Sequence, residues 1–150
     1  MNKPTNFATN FAERLTEAMF YANNMSSAAL ADAVGVTVQT VRRWKRGEKQ
    51  INLANLIKVA NVLNCTIDYL VGRRDNALDF TPKQSLSFYQ SLGEVLTLRG
   101  KTFYNLTQQT RFTESYLYQW RKGKQPKIPA LIDLANYLDC SIDYLVGRER

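Results

Sequence analysis

The chain has 150 residues, a formal net charge of +7, 45% hydrophobic and 22% charged residues. Such a mixture folds rather than staying disordered, and the surplus of Lys and Arg suits a polyanionic partner. With no histidine and only two cysteines, Cys65 and Cys140, the composition excludes histidine acid–base catalysis, Cys–His nucleophile pairs, zinc fingers and a disulfide framework.

No stretch approaches the ~20 apolar residues that span a bilayer, and Met1 to Asn6 lack the apolar core of a signal peptide. The expected location is therefore cytoplasmic, associated with the nucleoid, with no membrane partner and no cofactor.

In chain order, Phe11, Leu15, Ala18 and Met19 recur at helical spacing and make one apolar face. Ser26 is placed to cap a second helix with Ala29, Leu30 and Ala33 inward, and Gly35 breaks the chain after it. Thr37 caps a third helix that runs through Arg46 and is closed by Gly47, with Val41 and Trp44 as its inward side. Asn52 caps a fourth helix carrying Leu53, Leu56, Ile57, Ala60 and Leu63. Thr66 caps a short fifth, with Ile67 and Leu70 buried and Gly72 at its end. Arg74 to Pro82 is short and polar, with Asp75, Asn76 and Pro82 as breakers.

The remainder repeats the plan. Cys65-Thr66-Ile67-Asp68-Tyr69-Leu70-Val71-Gly72-Arg73 returns as Cys140-Ser141-Ile142-Asp143-Tyr144-Leu145-Val146-Gly147-Arg148. Leu56 to Leu63 answers Leu131 to Leu138, Trp44-Lys45-Arg46-Gly47 answers Trp120-Arg121-Lys122-Gly123, and Phe11 and Leu15 answer Phe88 and Leu92. Chance does not supply so many matches in one order, so the chain reads as a duplication. The second set of helices is expected at 86–98, 102–110, 113–122, 129–138 and 141–146. The domains are then 1–74 and 83–150, joined by a linker at 75–82.

The outward residues of the third helix are Val38, Gln39, Thr40, Arg42, Arg43 and Lys45. A helix enters the major groove only when such hydrogen-bonding groups face out and apolar ones anchor it. Gln39 has the chemistry to pair with adenine, Arg43 with guanine O6 and N7, and Val38 or Thr40 to touch a thymine methyl. Alone, Arg42-Arg43-Trp44-Lys45-Arg46 equally describes a solvated basic helix end lying favourably against the helix dipole. Trp44 and Trp120, among apolar neighbours, are expected in the core, and both cysteines as buried structural thiols.

Capped helix, glycine turn and second capped helix, from Ser26 to Gly47, followed by the helices of 52–73, resemble the lambda repressor/Cro-like helix-turn-helix family, also called the xenobiotic-response-element type. The resemblance implies an all-α protein of two tandem five-helix domains that binds a double-stranded DNA operator and is not an enzyme. It further implies that Thr37, Val38, Gln39, Thr40 and Arg43 face bases. Ser26, Ser27, Arg42, Lys45, Arg46 and Lys49 then hold phosphates.

At the matching positions of the second copy stand Glu114, Ser115, Tyr116 and Gln119 for bases, with Thr102, Arg121, Lys122 and Lys124 for phosphates, and Lys101 and Lys127 also offer phosphate contacts. Here the pattern thins: Arg42 and Arg43 are replaced by Tyr118 and Gln119, and Val38 by Glu114, which the phosphates repel unless it accepts from cytosine N4. Arg111 stands where Gly35 stood, at about 1 kcal/mol if the turn is kept. Two readings stay open. Either the second copy reads a different half-site, or Tyr116, Tyr118, Phe103 and Tyr104 form a protein-binding surface. The latter allows a homodimer through the C-terminal domain, or a protein antagonist in an antitoxin-like autoregulator. Charge does not choose between them: ten basic and six acidic residues precede position 76, and ten and seven follow it.

Overall fold

In the computed structural model, residues 7–75 and 87–149 are described, with the side chains of 7–9 left aside; the expected helix start at Leu86 and most of the linker at 75–82 lie outside them. The chain divides into two compact units, 1–81 and 82–150. Among the described residues both are helical. The first holds α1 (Phe7–Tyr21), α2 (Ser27–Val34), α3 (Val38–Lys45), α4 (Leu53–Leu63) and α5 (Ile67–Leu70). The second holds α6 (Phe88–Leu98), α7 (Phe103–Gln109), α8 (Glu114–Arg121), α9 (Ile128–Leu138) and α10 (Ile142–Leu145).

Side-chain caps fix the helix starts of the first unit. Ser26 accepts from the Ala29 amide, Thr37 from Thr40, Asn52 from Asn55 and Thr66 from Tyr69, each satisfying an amide that the helix itself leaves open. Gly35 ends α2 in the left-handed region at φ 87°, a conformation that costs a residue without Cβ nothing. The apolar faces of α1, α2, α3, α4 and α5 close over Phe11, Leu15, Leu30, Leu56, Leu63 and Leu70.

Two expectations about which residues face inward need correction. On α2 the buried residues are Leu30, Ala31 and Val34, whereas Ala29 and Ala33 are exposed. The alanine methyls are too small to set the helix rotation, so Leu30 and Val34, four apart, decide it. On α4 Val59 is buried and Ile57 is only half-buried.

A polar strut ties the last helix of each unit to its first. The Tyr69 hydroxyl donates to Glu17, and the Tyr144 hydroxyl donates to Glu94 at 2.7 Å. Burial, reinforced by the Glu17 carboxylate, raises the Tyr69 hydroxyl above the ordinary phenol range and keeps it a donor. Asp68 with Arg73, and Asp143 with Arg148, form ion pairs in which both carboxylates are buried.

Cys65 is buried, but Cys140 is half-buried, so the expectation of two buried thiols holds only for the first. α9 begins at Ile128, one residue before the expected Pro129, because proline fits the first turn, where its missing N–H is not needed.

Candidate nucleic-acid interface

α3 turns three polar residues, Gln39, Arg42 and Arg43, to solvent above two buried anchors. Val41 and Trp44 are 0% and 1% exposed, and the Trp44 ring meets Phe11 edge-on at 6.3 Å. The Trp44 indole nitrogen is buried with no hydrogen-bond partner among the described residues. This ring therefore serves as apolar bulk under the helix, and it is not available to stack on a base.

With those two side chains fixed inward, helical geometry turns Gln39, Arg42 and Arg43 outward, and all three are exposed. Gln39 and Arg43 are four residues apart and share one face. Val38 and Thr40 are half-buried, and Thr37 is exposed while its hydroxyl caps the helix and lies 2.9 Å from that of Thr40.

The residues expected at phosphates fall at both ends of this surface. Ser26 is exposed at the start of α2, and the Lys45 ammonium lies 3.4 Å from the Ser27 hydroxyl. A positive charge thus sits beside a helix N-terminus, an arrangement that attracts anions from two sources at once. Arg46 is exposed and pairs with Glu48 at 3.2 Å, which takes up part of its charge. Lys49 is exposed. Lys45, Arg46 and Gly47 also line a shallow depression with Ala12, Glu13 and Thr16.

The corresponding surface in the second unit is built differently. α7 ends at Gln109, and the chain leaves it in extended conformation at Thr110, φ −132°. Arg111 is absent from the residues with positive φ, so the left-handed turn of Gly35 is not reproduced and the expected ~1 kcal/mol of strain does not arise. Arg111 instead pairs with Asp133 at 2.9 Å and lies over the Phe112 ring at 4.5 Å. Phe112 is fully buried two positions before α8, whereas its counterpart Val36 is half-buried.

On α8 itself only Trp120 is buried, and Leu117, where α3 has Val41, is half-buried. Trp120 lies in a cluster with Phe88, Phe112 and Tyr116 at 5.4, 5.3 and 5.7 Å. Glu114, Ser115, Tyr116 and Gln119 are all exposed, as are Thr102, Arg121, Lys122 and Lys124.

Several of these residues are engaged locally. Thr102 caps α7 reciprocally with Asn105, Lys124 donates to Gln119 at 3.1 Å, and Arg121 and Lys122 flank the Tyr118 ring at 5.7 and 5.5 Å. Neither Thr113 nor Lys127, the residues that open α8 and α9, makes a side-chain cap bond. Of the aromatics expected on a protein-binding surface, Tyr104 and Tyr118 are 68% and 54% exposed and Tyr116 is 39% exposed. Phe103 is half-buried and stacked on Tyr89 at 5.1 Å.

Arg111 was not among the expected site residues, yet it borders, with Lys127, a cleft beside α8. Its place there is not legible in the sequence, because Arg111 and its partner Asp133 meet across 22 positions.

Residues 22–70 match the family model described as helix-turn-helix. An uncharacterized HTH-type transcriptional regulator of Haemophilus influenzae is 36% identical over 61 residues, 41% of this chain and 25% of that protein. The cryptic phage CTXphi transcriptional repressor RstR of Vibrio cholerae is 35% identical over 52 residues, 35% of this chain and 46% of that protein. The chain therefore spans from a quarter to about half the length of these relatives. No solved structure matches it. Both relatives are named as transcriptional regulators. Among the described residues no helix is long and apolar enough to cross a membrane.

Proposed function

We propose that this chain is a sequence-specific, double-stranded DNA-binding transcriptional repressor of phage or mobile-element type. In this reading two tandem helix-turn-helix domains read the major groove, one with α3 and the other with α8. The observation that carries it is the two-sidedness of α3. Val41 and Trp44 lock the helix from below while Gln39, Arg42 and Arg43 stand in solvent, within the segment that matches the helix-turn-helix family. Gln39 and Arg43 supply base recognition, with Thr37, Val38 and Thr40 at the helix start. Ser26, Ser27, Arg42, Lys45, Arg46 and Lys49 hold the backbone on either side. A repressor needs only occupancy of a promoter, and RstR, similar over 52 residues, is named a phage transcriptional repressor.

In the second unit Glu114, Ser115, Tyr116 and Gln119 occupy the base-reading positions, with Thr102, Arg121, Lys122 and Lys124 toward phosphates. The exposure of Tyr104 and Tyr118 supports a second reading, in which this unit binds a protein, either a further copy of the chain or an antagonist.

The test is selection of duplex sites from a random pool with the full chain, followed by titration of variants at two salt concentrations. Arg43→Ala is expected to lose about 1–3 kcal/mol on the selected site and to relax preference at one base pair. Lys45→Ala is expected to weaken all duplexes alike and to lower the salt slope by about one unit. Equal losses on selected and random DNA for Arg43→Ala remove it from base reading. No selected site at all sinks the proposal.

A further inference from the structure

A cleft of about 380 Å³ opens beside α8. Three parts of the second unit wall it: Arg111 before the helix, Tyr116, Gln119 and Trp120 on it, and Lys124 and Lys127 in the segment leading to α9. Every charged residue that lines it is cationic. Arg111 is partly neutralised by Asp133, so the lysines dominate. Lys124 spends one of its three donors on Gln119, and among the described residues neither lysine is ion-paired.

Two of the lining residues are aromatic, exposed Tyr116 and buried Trp120. The Tyr116 and Trp120 rings are 5.7 Å apart and tilted by 52°, with Phe112 5.3 Å from each. The volume falls at the lower end of the ~300–1,000 Å³ range of small-molecule sites, more than a bare inorganic anion fills. A flat ring gains from packing against exposed Tyr116, and a carboxylate or phosphate on that ring suits the lysines.

From this combination we infer that the cleft binds a small aromatic anion, its ring against Tyr116 and close to Trp120, and its charged group between Lys124 and Lys127. Because Ser115, Tyr116 and Gln119 line the cleft and are also the proposed base contacts of α8, an occupied cleft competes with duplex DNA at this unit. The competition rests on the proposed reading role of α8; the binding does not.

Nitrogen–proton correlation spectra of the full chain separate the two claims. The chain has two tryptophans, Trp44 and Trp120, hence two indole signals, assigned with Trp120→Phe. Indole-3-acetate and adenosine 5′-monophosphate serve as carboxylate and phosphate probes, and indole-3-acetamide and adenosine as their neutral counterparts. At least one anion is expected to move the Trp120 signal with a Kd of about 1 mM or below while the Trp44 signal stays. Its neutral counterpart and the Lys124→Gln/Lys127→Gln double variant are each expected to bind about ten-fold more weakly.

The site is overturned if neither anion moves the Trp120 signal at about 10 mM. It is equally overturned if the neutral probe, or the double variant with its Trp44 signal unchanged, binds as well. A bound anion that releases selected DNA supports the competition. One that binds and leaves DNA affinity unchanged overturns the competition and removes α8 from the reading surface, with the cleft intact.

Discussion

α3 and α8 occupy equivalent positions in the sequence and present opposite balances of anchoring and exposure. α3 is pinned by two of its own side chains, Val41 and Trp44, follows a glycine turn and is opened by a threonine cap. α8 has one buried residue, Trp120, and no cap bond from Thr113, and its support comes from Phe112 in the turn before it. Anchoring has moved from the helix to the turn. Where the glycine is lost, the chain changes conformation at Thr110 instead of straining at Arg111. A substitution at a turn is therefore read correctly only together with its neighbours.

The sharpest way to break this comparison is to remove the transferred anchor. Phe112→Ala is expected to destabilise the second unit by about 3–5 kcal/mol, as loss of a buried aromatic does. Val36→Ala, at the half-buried counterpart, is expected to cost the first unit about 1 kcal/mol or less. Denaturant titration of the full chain, following Trp120 and Trp44 separately, measures both. Similar losses at the two positions refute the shift of support from helix to turn.

A smaller contrast lies in the turn itself. Gly35→Ala puts a Cβ at φ 87°, with nothing within 4 Å to clash, so only backbone strain remains, about 1–2 kcal/mol. Arg111→Gly relieves no such strain, and it removes the contact with Asp133 while loosening the unfolded chain. Its midpoint is expected to fall; a rise in stability contradicts the extended turn.

Smallest is the difference in capping. Thr37→Ala deletes a bond to the Thr40 amide and is expected to cost about 1 kcal/mol, whereas Thr113→Ala is expected to cost about 0.3 kcal/mol or less. Equal costs at the two threonines show that α8 is capped in solution after all.

The helices were readable because their signals are local. Ser26, Thr37, Asn52, Thr66 and Ser141 each cap the helix that their position in the sequence announces, and Gly35 adopts the positive φ that its place after α2 requires. The outward stance of Gln39 and Arg43 was also legible, since 3.6-residue periodicity fixes it once Val41 and Trp44 are known to be buried.

The sequence by itself determined the order of elements and the face that α3 turns to solvent, because caps and periodicity act within a few residues. Only the tertiary structure decided the rotation of α2, the half-burial of Leu117 and Cys140, the burial of Phe112, and the meeting of Arg111 with Asp133. Each depends on which distant side chain arrives to fill or vacate a space, and close packing imposes that choice on the assembled unit rather than on any short stretch of chain.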